Sequence, residues 1–171
     1  MTASPSGPPS PRDAVHRSVV RHVLASLDFR RSRDASRAIV DDPASLRDLA
    51  DSVRERGYEQ GALEPVADRI DAALHLIDDR AEQLADAATQ PMAVQKEAEL
   101  PPASAARQRL IVAAMHYLTR RPQRRDDDPE GTADTDAVVV VTEVLGSAQA
   151  DLRPYMPAAD EDGAAKSGPQ G

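Results

Sequence analysis

An apolar stripe in the middle of the chain places the strongest constraint on the fold. Between residues 63 and 88, apolar side chains recur at alternating steps of four and three, which puts them on one face of a single helix. Charged side chains fill the opposite face, as in a helix that is half exposed to solvent. The stripe consists of Leu63, Ala67, Ile70, Leu74, Ile77, Ala81, Leu84 and Ala88. Such a helix has to bury its apolar face against other helices, so the sequence predicts a helical bundle.

The chain before this stripe contains a second pattern of regularly spaced apolar residues. They recur at steps of four, at Val15, Val19, Val23 and Leu27. Asp13 can cap a helix that carries them on one face. The basic cluster Arg30, Arg31 and Arg33 then lies at or beyond the C-terminal end of this helix, where cations interact favourably with the helix dipole. A further short helix over residues 35–39 is compatible with the pattern.

Asp42 and Pro43 form the clearest helix start in the sequence. The Asp42 side chain can accept hydrogen bonds from the free amides of the first turn, and proline suits the first helical position. Gly57 is placed to end the same helix with a positive φ. The predicted buried face of this helix consists of Leu46, Leu49, Ala50 and Val53.

The C-terminal half contains two further helices by the same reasoning. Residues 90–103 have no periodicity and contain three prolines, which predicts a linker or loop. Ser104 can cap a helix that ends at Pro122. In the segment 137–152, four consecutive valines favour a strand on local propensity. The spacing of its apolar residues, its length and the lack of a second strand favour a helix, and we predict a helix.

The predicted fold class is therefore all-α, a small bundle of five or six helices. The helical domain is expected to cover residues 13–156. Residues 1–12 are rich in proline, and residues 157–171 are small and acidic, so both are predicted to be disordered tails. Thirty of the residues are alanine and only four are aromatic, which predicts a thin core of closely approaching helices.

Charge and composition exclude several classes of function. The net charge of −8 argues against nucleic-acid binding, which needs a basic surface. The absence of cysteine excludes a thiolate nucleophile, a disulfide and a cysteine-held metal. No apolar run approaches the roughly 20 residues that a membrane-spanning helix requires. No secretory signal is apparent at the N-terminus, so a soluble, cytoplasmic protein is expected.

An acidic segment between the last two predicted helices suggests a site for a divalent cation. Numbered as a calcium loop, it has carboxylates at ligand positions and Gly131 at the sharp turn. The candidate ligands for calcium or magnesium are Asp126, Asp128, Glu130, Asp134 and Asp136. The closing position holds Ala137 instead of a bidentate glutamate, and Pro129 stiffens the loop. The alternative interpretation is a solvated acidic loop that caps the following helix.

Other chemical motifs are weaker. No two of the histidines are spaced as metal ligands on one helix, so each is interpreted as a half-exposed helical residue and not as part of a zinc site. They are His16, His22, His75 and His116. The basic cluster at residues 30–33 and a second one, Arg120, Arg121, Arg124 and Arg125, could contact phosphates, although pairing with nearby carboxylates explains them as well. No nucleophile with a base and no phosphate-binding glycine loop is present.

Residues 110–155 resemble YkvA-type bacterial domains, a family of unknown function. The segment Ala113 to Leu118 is similar to the end of the family's first helix. Asp127, Gly131 and Asp136 stand near the family's loop aspartate, its glycine and the first member of an aspartate pair, and the segment Val138 to Leu145 resembles the valine-rich helix that follows. The resemblance implies a helical hairpin around this loop and implies no activity.

Taken together, these features favour a protein that acts by binding rather than by catalysis. The hypothesis is a non-catalytic protein–protein interaction or regulatory module, whose helical face engages a partner protein or a second copy of the chain. No cofactor is expected under this interpretation. The alternative from another class is a divalent-metal-binding protein that uses the acidic segment 126–136.

Overall fold

A computed structural model describes residues 11–89, 101–120 and 132–157. Within these ranges the chain forms seven α-helices and no strand. The helices are α1 (Pro11–Leu24), α2 (Leu27–Ile39), α3 (Pro43–Arg56), α4 (Ala67–Thr89), α5 (Pro102–Arg120), α6 (Thr132–Ser147) and α7 (Gln149–Leu152). Two short 3-10 helices, Gly61–Val66 and Arg153–Tyr155, precede α4 and follow α7. The all-α prediction is confirmed, with slightly more helices than the predicted five or six. Apart from residues 11, 12 and 157, the two predicted tails lie outside the described ranges.

The middle of the predicted central stripe is confirmed by α4, whereas its last residue, Ala88, is exposed. Ile70, Ile77 and Ala81 are fully buried, and Leu74 is nearly so. The prediction of one continuous helix from Leu63 is wrong at its start, because Leu63 lies in the 3-10 helix before α4. Proline at position 65 disfavours an α-helical conformation in the residue before it, which explains the delayed start. The buried face is also wider than predicted, since it includes Ala72, Ala73 and Leu76.

The charged face of α4 is not entirely solvated. The Asp78 carboxylate forms an ion pair with Arg54 of α3. The next residue, Asp79, accepts a hydrogen bond of 2.7 Å from the hydroxyl of Tyr155. Burial, together with this hydrogen bond, raises the pKa of Tyr155 to about 12. Carboxylates that the periodicity assigns to solvent thus attach α3 and the C-terminal 3-10 helix to α4.

The prediction for the first helix is wrong in three respects. The helix begins at Pro11, so Asp13 lies inside it and is not its cap. The chain bends at Ala25 and Ser26, so Leu27 begins α2 instead of ending α1. Ser26 caps α2, because its hydroxyl oxygen accepts a hydrogen bond of 3.2 Å from the amide of Phe29. Val15 and Val19 are 64% and 42% exposed, and of the predicted stripe only Val23 is buried. The face of α1 that meets the bundle is therefore rotated away from the first two valines.

The signals around α3 are confirmed. A carboxylate oxygen of Asp42 accepts a hydrogen bond of 2.9 Å from the amide of Ser45, and Pro43 is the first residue of the helix. Hydrogen bonds from Ser45 also lower the pKa of the Asp42 carboxyl group. Gly57 follows the helix with a φ of +69°, a conformation that residues with a Cβ rarely adopt. All four predicted core residues of α3 are buried.

The last two long helices are confirmed with corrected boundaries. Pro102 is the first residue of α5, so Ser104 lies inside the helix and is not its cap. The helix predicted over residues 137–152 is present as α6 and α7, which are separated at Ala148. Val140 and Val141 are fully buried in α6. Packing therefore overrides the strand propensity of the valine run.

The centre of the bundle is α5. Five consecutive residues of this helix, 111–115, are buried, which requires neighbours on every side of it. These neighbours include α2, α3 and α6. Arg107, near the start of α5, forms an ion pair with Asp151 of α7. None of the helices in the described part of the chain combines the length and the apolar character needed to cross a bilayer.

Candidate functional site

A groove lies between α2 and α5 on the described surface. Its volume is about 210 Å³. It is lined by Arg33, Ser36 and Arg37 from α2 and by Ala106, Arg109 and Leu110 from α5. The three residues that are not arginine are small or apolar, so the charged residues among those named here are all arginines. We refer to it as the arginine groove.

The two helices that form the arginine groove run antiparallel. Near the start of α2, the ring of Phe29 meets the ring of Tyr117 edge to face, with their centroids 5.8 Å apart. One turn later, the Oγ of Ser32 lies 3.2 Å from the Nδ1 of His116. The groove follows further along α2, opposite residues 106–110 of α5. It therefore lies beside the C-terminal half of α2 and the N-terminal half of α5.

Two buried serines let these helices approach closely. Ser32 is fully buried and Ser36 is 2% exposed. The Ser36 hydroxyl donates a hydrogen bond of 2.8 Å to the carbonyl oxygen of Arg33, so its polar group is satisfied within the helix. Small residues at a helix contact reduce the interaxial distance. The backbone of α2 therefore lies against α5, and its arginines stand at the edge of the contact.

Acidic side chains of the described residues neutralise little of the positive charge on the arginines of the groove. Arg33 and Arg37 are four residues apart and share one face of α2, while Arg109 comes from α5. Arg37 lies 3.7 Å from Asp34, but both side chains are more than 70% exposed, so this pair is weak. Within the described part of the chain, the guanidinium groups of Arg33 and Arg109 make no hydrogen bond and no ion pair. Guanidinium groups stay protonated in proteins, so the groove carries a permanent positive charge.

The described residues that line the groove supply positive charge. None of these residues is a carboxylate, histidine or thiol that could act as a base or nucleophile. Its one hydroxyl, on Ser36, is engaged with a backbone carbonyl oxygen. What remains is a set of strong, directional donors for a negatively charged group.

The predicted basic cluster at residues 30–33 does not act as one patch. Arg30 donates two hydrogen bonds, of 3.0 and 2.8 Å, to the carbonyl oxygen of Ala25. Arg31 lies 3.7 Å from Asp28. Only Arg33 faces the groove. The cluster lies beyond the end of α1, as predicted, but within a second helix, α2. Of the second cluster, only Arg120 is described.

Sequence reasoning missed Arg37 and Arg109. The spacing of four between Arg33 and Arg37 is a readable signal once α2 is known to be a helix. Arg109 has no such signal, because it joins the other two only through the packing of α5 against α2.

Most of the predicted metal site lies outside the described residues. Asp126, Asp128 and Glu130 belong to the segment that the structure does not describe, whereas Asp134 and Asp136 lie in the first turns of α6. The calcium or magnesium site therefore stays a prediction. Titration with either cation, followed through the amide resonance of Gly131, tests it directly; an unchanged resonance at millimolar cation contradicts it.

The histidines are separate from one another. The Nε2 of His16 lies 3.2 Å from a carboxylate oxygen of Glu143 and connects α1 to α6. Burial, with a contribution from the nearby Arg120, lowers the pKa of His116. His22 and His75 are exposed. Among the residues that the structure describes, no three histidine, aspartate or glutamate side chains are grouped so as to hold a metal ion.

Comparison with known proteins adds no assignment to this geometry. The chain matches no protein-family model, no curated protein and no solved structure. The function therefore has to be inferred from the arginine groove and its surroundings.

Proposed function

We propose that this protein is a non-catalytic binding module that holds an acidic group of a partner protein in the arginine groove. The observation that carries the proposal is the convergence of Arg33, Arg37 and Arg109 on one volume of about 210 Å³. Two of these side chains lack a carboxylate partner in the described structure. A regulatory or scaffolding role follows from binding without chemistry.

The surrounding charge supports this proposal. The chain as a whole has 29 acidic and 21 basic residues, so three guanidinium groups in one groove run against the overall balance. All three arginines are exposed to solvent, so a negatively charged group of a partner can reach them. Hydrogen bonds from arginine to a carboxylate or phosphate are charge-assisted and stronger than neutral ones.

The packing of α2 makes the groove pre-organised. Phe29 and Ser32 are buried against α5, which holds the backbone that carries Arg33 and Arg37 in place. Arg109 belongs to the central helix of the bundle. A groove formed by two fixed helices loses little backbone freedom when a ligand binds, which favours affinity.

The proposal can be tested with a short peptide of four glutamates that carries blocked ends. Amide chemical shifts of the labelled protein are followed during titration. We expect shifts at Ser36 and Ala106, and a loss of affinity of about tenfold or more in the variant Arg33→Gln/Arg109→Gln.

A matched control removes the same charge elsewhere. Arg47 and Arg69 are exposed on α3 and α4, and neither is among the residues that line the groove. The variant Arg47→Gln/Arg69→Gln should bind the peptide with nearly the affinity of the original protein. The lost charge should lower the affinity only slightly, and added salt should remove this difference. Equal weakening in both double variants would show that diffuse charge and not the groove binds the peptide, and the proposal would then be wrong.

A further inference from the structure

We infer that the arginine groove selects a phosphoryl group, in the form of a phosphate monoester, over a carboxylate. This inference rests on the proposed binding function and names the acidic group that the groove takes. Three features of the groove carry it: the number of its arginines, its volume and the weak pairing of these arginines with acidic side chains in the described part of the chain.

The number of cations matches a phosphoryl group better than a carboxylate. A carboxylate has two oxygen atoms and pairs with one arginine in the bidentate mode. A phosphate monoester presents three terminal oxygen atoms, so it can accept hydrogen bonds from several guanidinium groups at once. Arg33, Arg37 and Arg109 approach the groove from two helices. A single carboxylate would leave part of this donor set unused.

The volume of the groove suits a phosphoryl group alone and is too small for a whole nucleotide. Sites that enclose complete small-molecule ligands have volumes of about 300–1,000 Å³, whereas the groove has about 210 Å³. Ala106 and Leu110 offer no aromatic surface for a base. The remainder of the molecule that carries the phosphoryl group would therefore lie outside the groove.

The charge balance also favours a dianion. The only acidic side chain of the described structure that pairs with a groove arginine is Asp34, in a weak and exposed contact with Arg37. A phosphate monoester carries close to two negative charges at neutral pH, whereas a carboxylate carries one. A phosphodiester backbone also offers one charge per unit and needs a continuous basic track, which the acidic composition of this chain opposes.

The source of the phosphoryl group can be a modified side chain of the partner or a small molecule, and one experiment separates them. The probes are an end-blocked Gly-phosphoserine-Ala peptide, the same peptide with glutamate in place of phosphoserine, and inorganic phosphate. Each is titrated into the 171-residue chain at about pH 7.5 and again at about pH 5.5, where phosphate carries closer to one negative charge. Amide shifts at Ser36 and Arg109 report the site, and calorimetry reports the affinity.

We expect the phosphopeptide to bind at least about tenfold more tightly than the glutamate peptide at the higher pH, and its affinity to fall at the lower pH. Arg33→Gln/Arg109→Gln should remove this preference, whereas Arg47→Gln/Arg69→Gln should retain it. Inorganic phosphate binding as tightly as the phosphopeptide would support the phosphoryl preference and assign it to a small molecule, which contradicts the partner-protein part of the proposed function.

Two results would overturn the inference, and they have different consequences for the proposed function. Equal affinity for the phosphoserine and glutamate peptides, with shifts in the groove, would remove the phosphoryl preference but retain the anion-binding groove. The absence of groove shifts with all three probes would remove both the preference and the proposed function. Circular dichroism of the variants verifies that the bundle is retained, so a loss of binding is not attributed to unfolding.

Discussion

The first two helices of this protein are neighbours in sequence but meet the bundle in opposite ways. The sequence of α1 (Pro11–Leu24) carries regularly spaced valines, yet Val15 and Val19 are exposed. The sequence of α2 (Leu27–Ile39) has few large apolar residues, yet α2 packs along the central helix α5. The helix with the more regular apolar pattern is thus the more peripheral one.

The difference shows that burial depends on fit as well as on apolar character. Ser32 and Ser36 are buried because their hydroxyl groups have partners, in His116 and in a backbone carbonyl group respectively. Their small size brings α5 close to α2. In contrast, α1 is connected to α6 partly by a polar contact, between His16 and Glu143. The close contact of α2 with α5 also positions the arginines of the groove.

The largest expected effect is at Phe29, where α2 contacts the ring of Tyr117. Replacement of a buried phenylalanine by alanine removes apolar contact and leaves a cavity, so Phe29→Ala should lower the free energy of unfolding by about 3–5 kcal/mol. Urea denaturation followed by circular dichroism measures this change. Leu27→Ala, at the exposed first residue of α2, is the control and should change it by less than about 0.5 kcal/mol. Similar losses in the two variants would contradict the assigned packing of α2.

A smaller loss of stability is expected when a larger side chain is placed in the contact between α2 and α5. Ser32 is fully buried, so Ser32→Leu should force the helices apart and lower the free energy of unfolding by about 1–3 kcal/mol. The same substitution at exposed Ser18 of α1 is the matched control, and the two are compared by urea denaturation. If Ser32→Leu is tolerated as well as Ser18→Leu, the helices are not in close contact at this point.

A still smaller effect is expected at the valines of α1. Since Val15 and Val19 are exposed, Val15→Ser/Val19→Ser should change the free energy of unfolding by no more than about 0.5 kcal/mol per site. Urea denaturation at two protein concentrations, together with sedimentation, provides the measurement. A larger loss that depends on concentration would mean that a second copy of the chain covers these valines, and the contrast between α1 and α2 would then hold only for the isolated chain.

The contrast also explains which parts of the molecule are predictable from sequence. The start of α3 at Asp42 and Pro43 and its end at Gly57 depend on neighbouring residues, so local reasoning finds them. The orientation of α1 depends on the direction from which α6 approaches. The spacing of apolar residues along the sequence carries no information about that direction. The arginine groove requires Arg109 to meet two residues of α2 that are distant in sequence. It therefore becomes visible only when α2 and α5 are packed together.

The smallest effect that we predict concerns pH and the histidines of the two regions. Burial and the nearby Arg120 lower the pKa of His116 below its ordinary value of 6.5, so the folded protein binds a proton there less readily than the unfolded chain. The stability that neutral His116 contributes is present above about pH 6.5 and is lost as the pH falls toward the lowered value. His116→Asn should therefore lose less stability than the original protein between about pH 7.5 and about pH 5.5, as measured by urea denaturation at both values. His22→Asn, on the exposed surface of α1, should lose as much as the original protein. If the two variants lose the same amount of stability as the pH falls, His116 does not cause the loss. The acid sensitivity of the bundle then does not arise at the contact between α2 and α5.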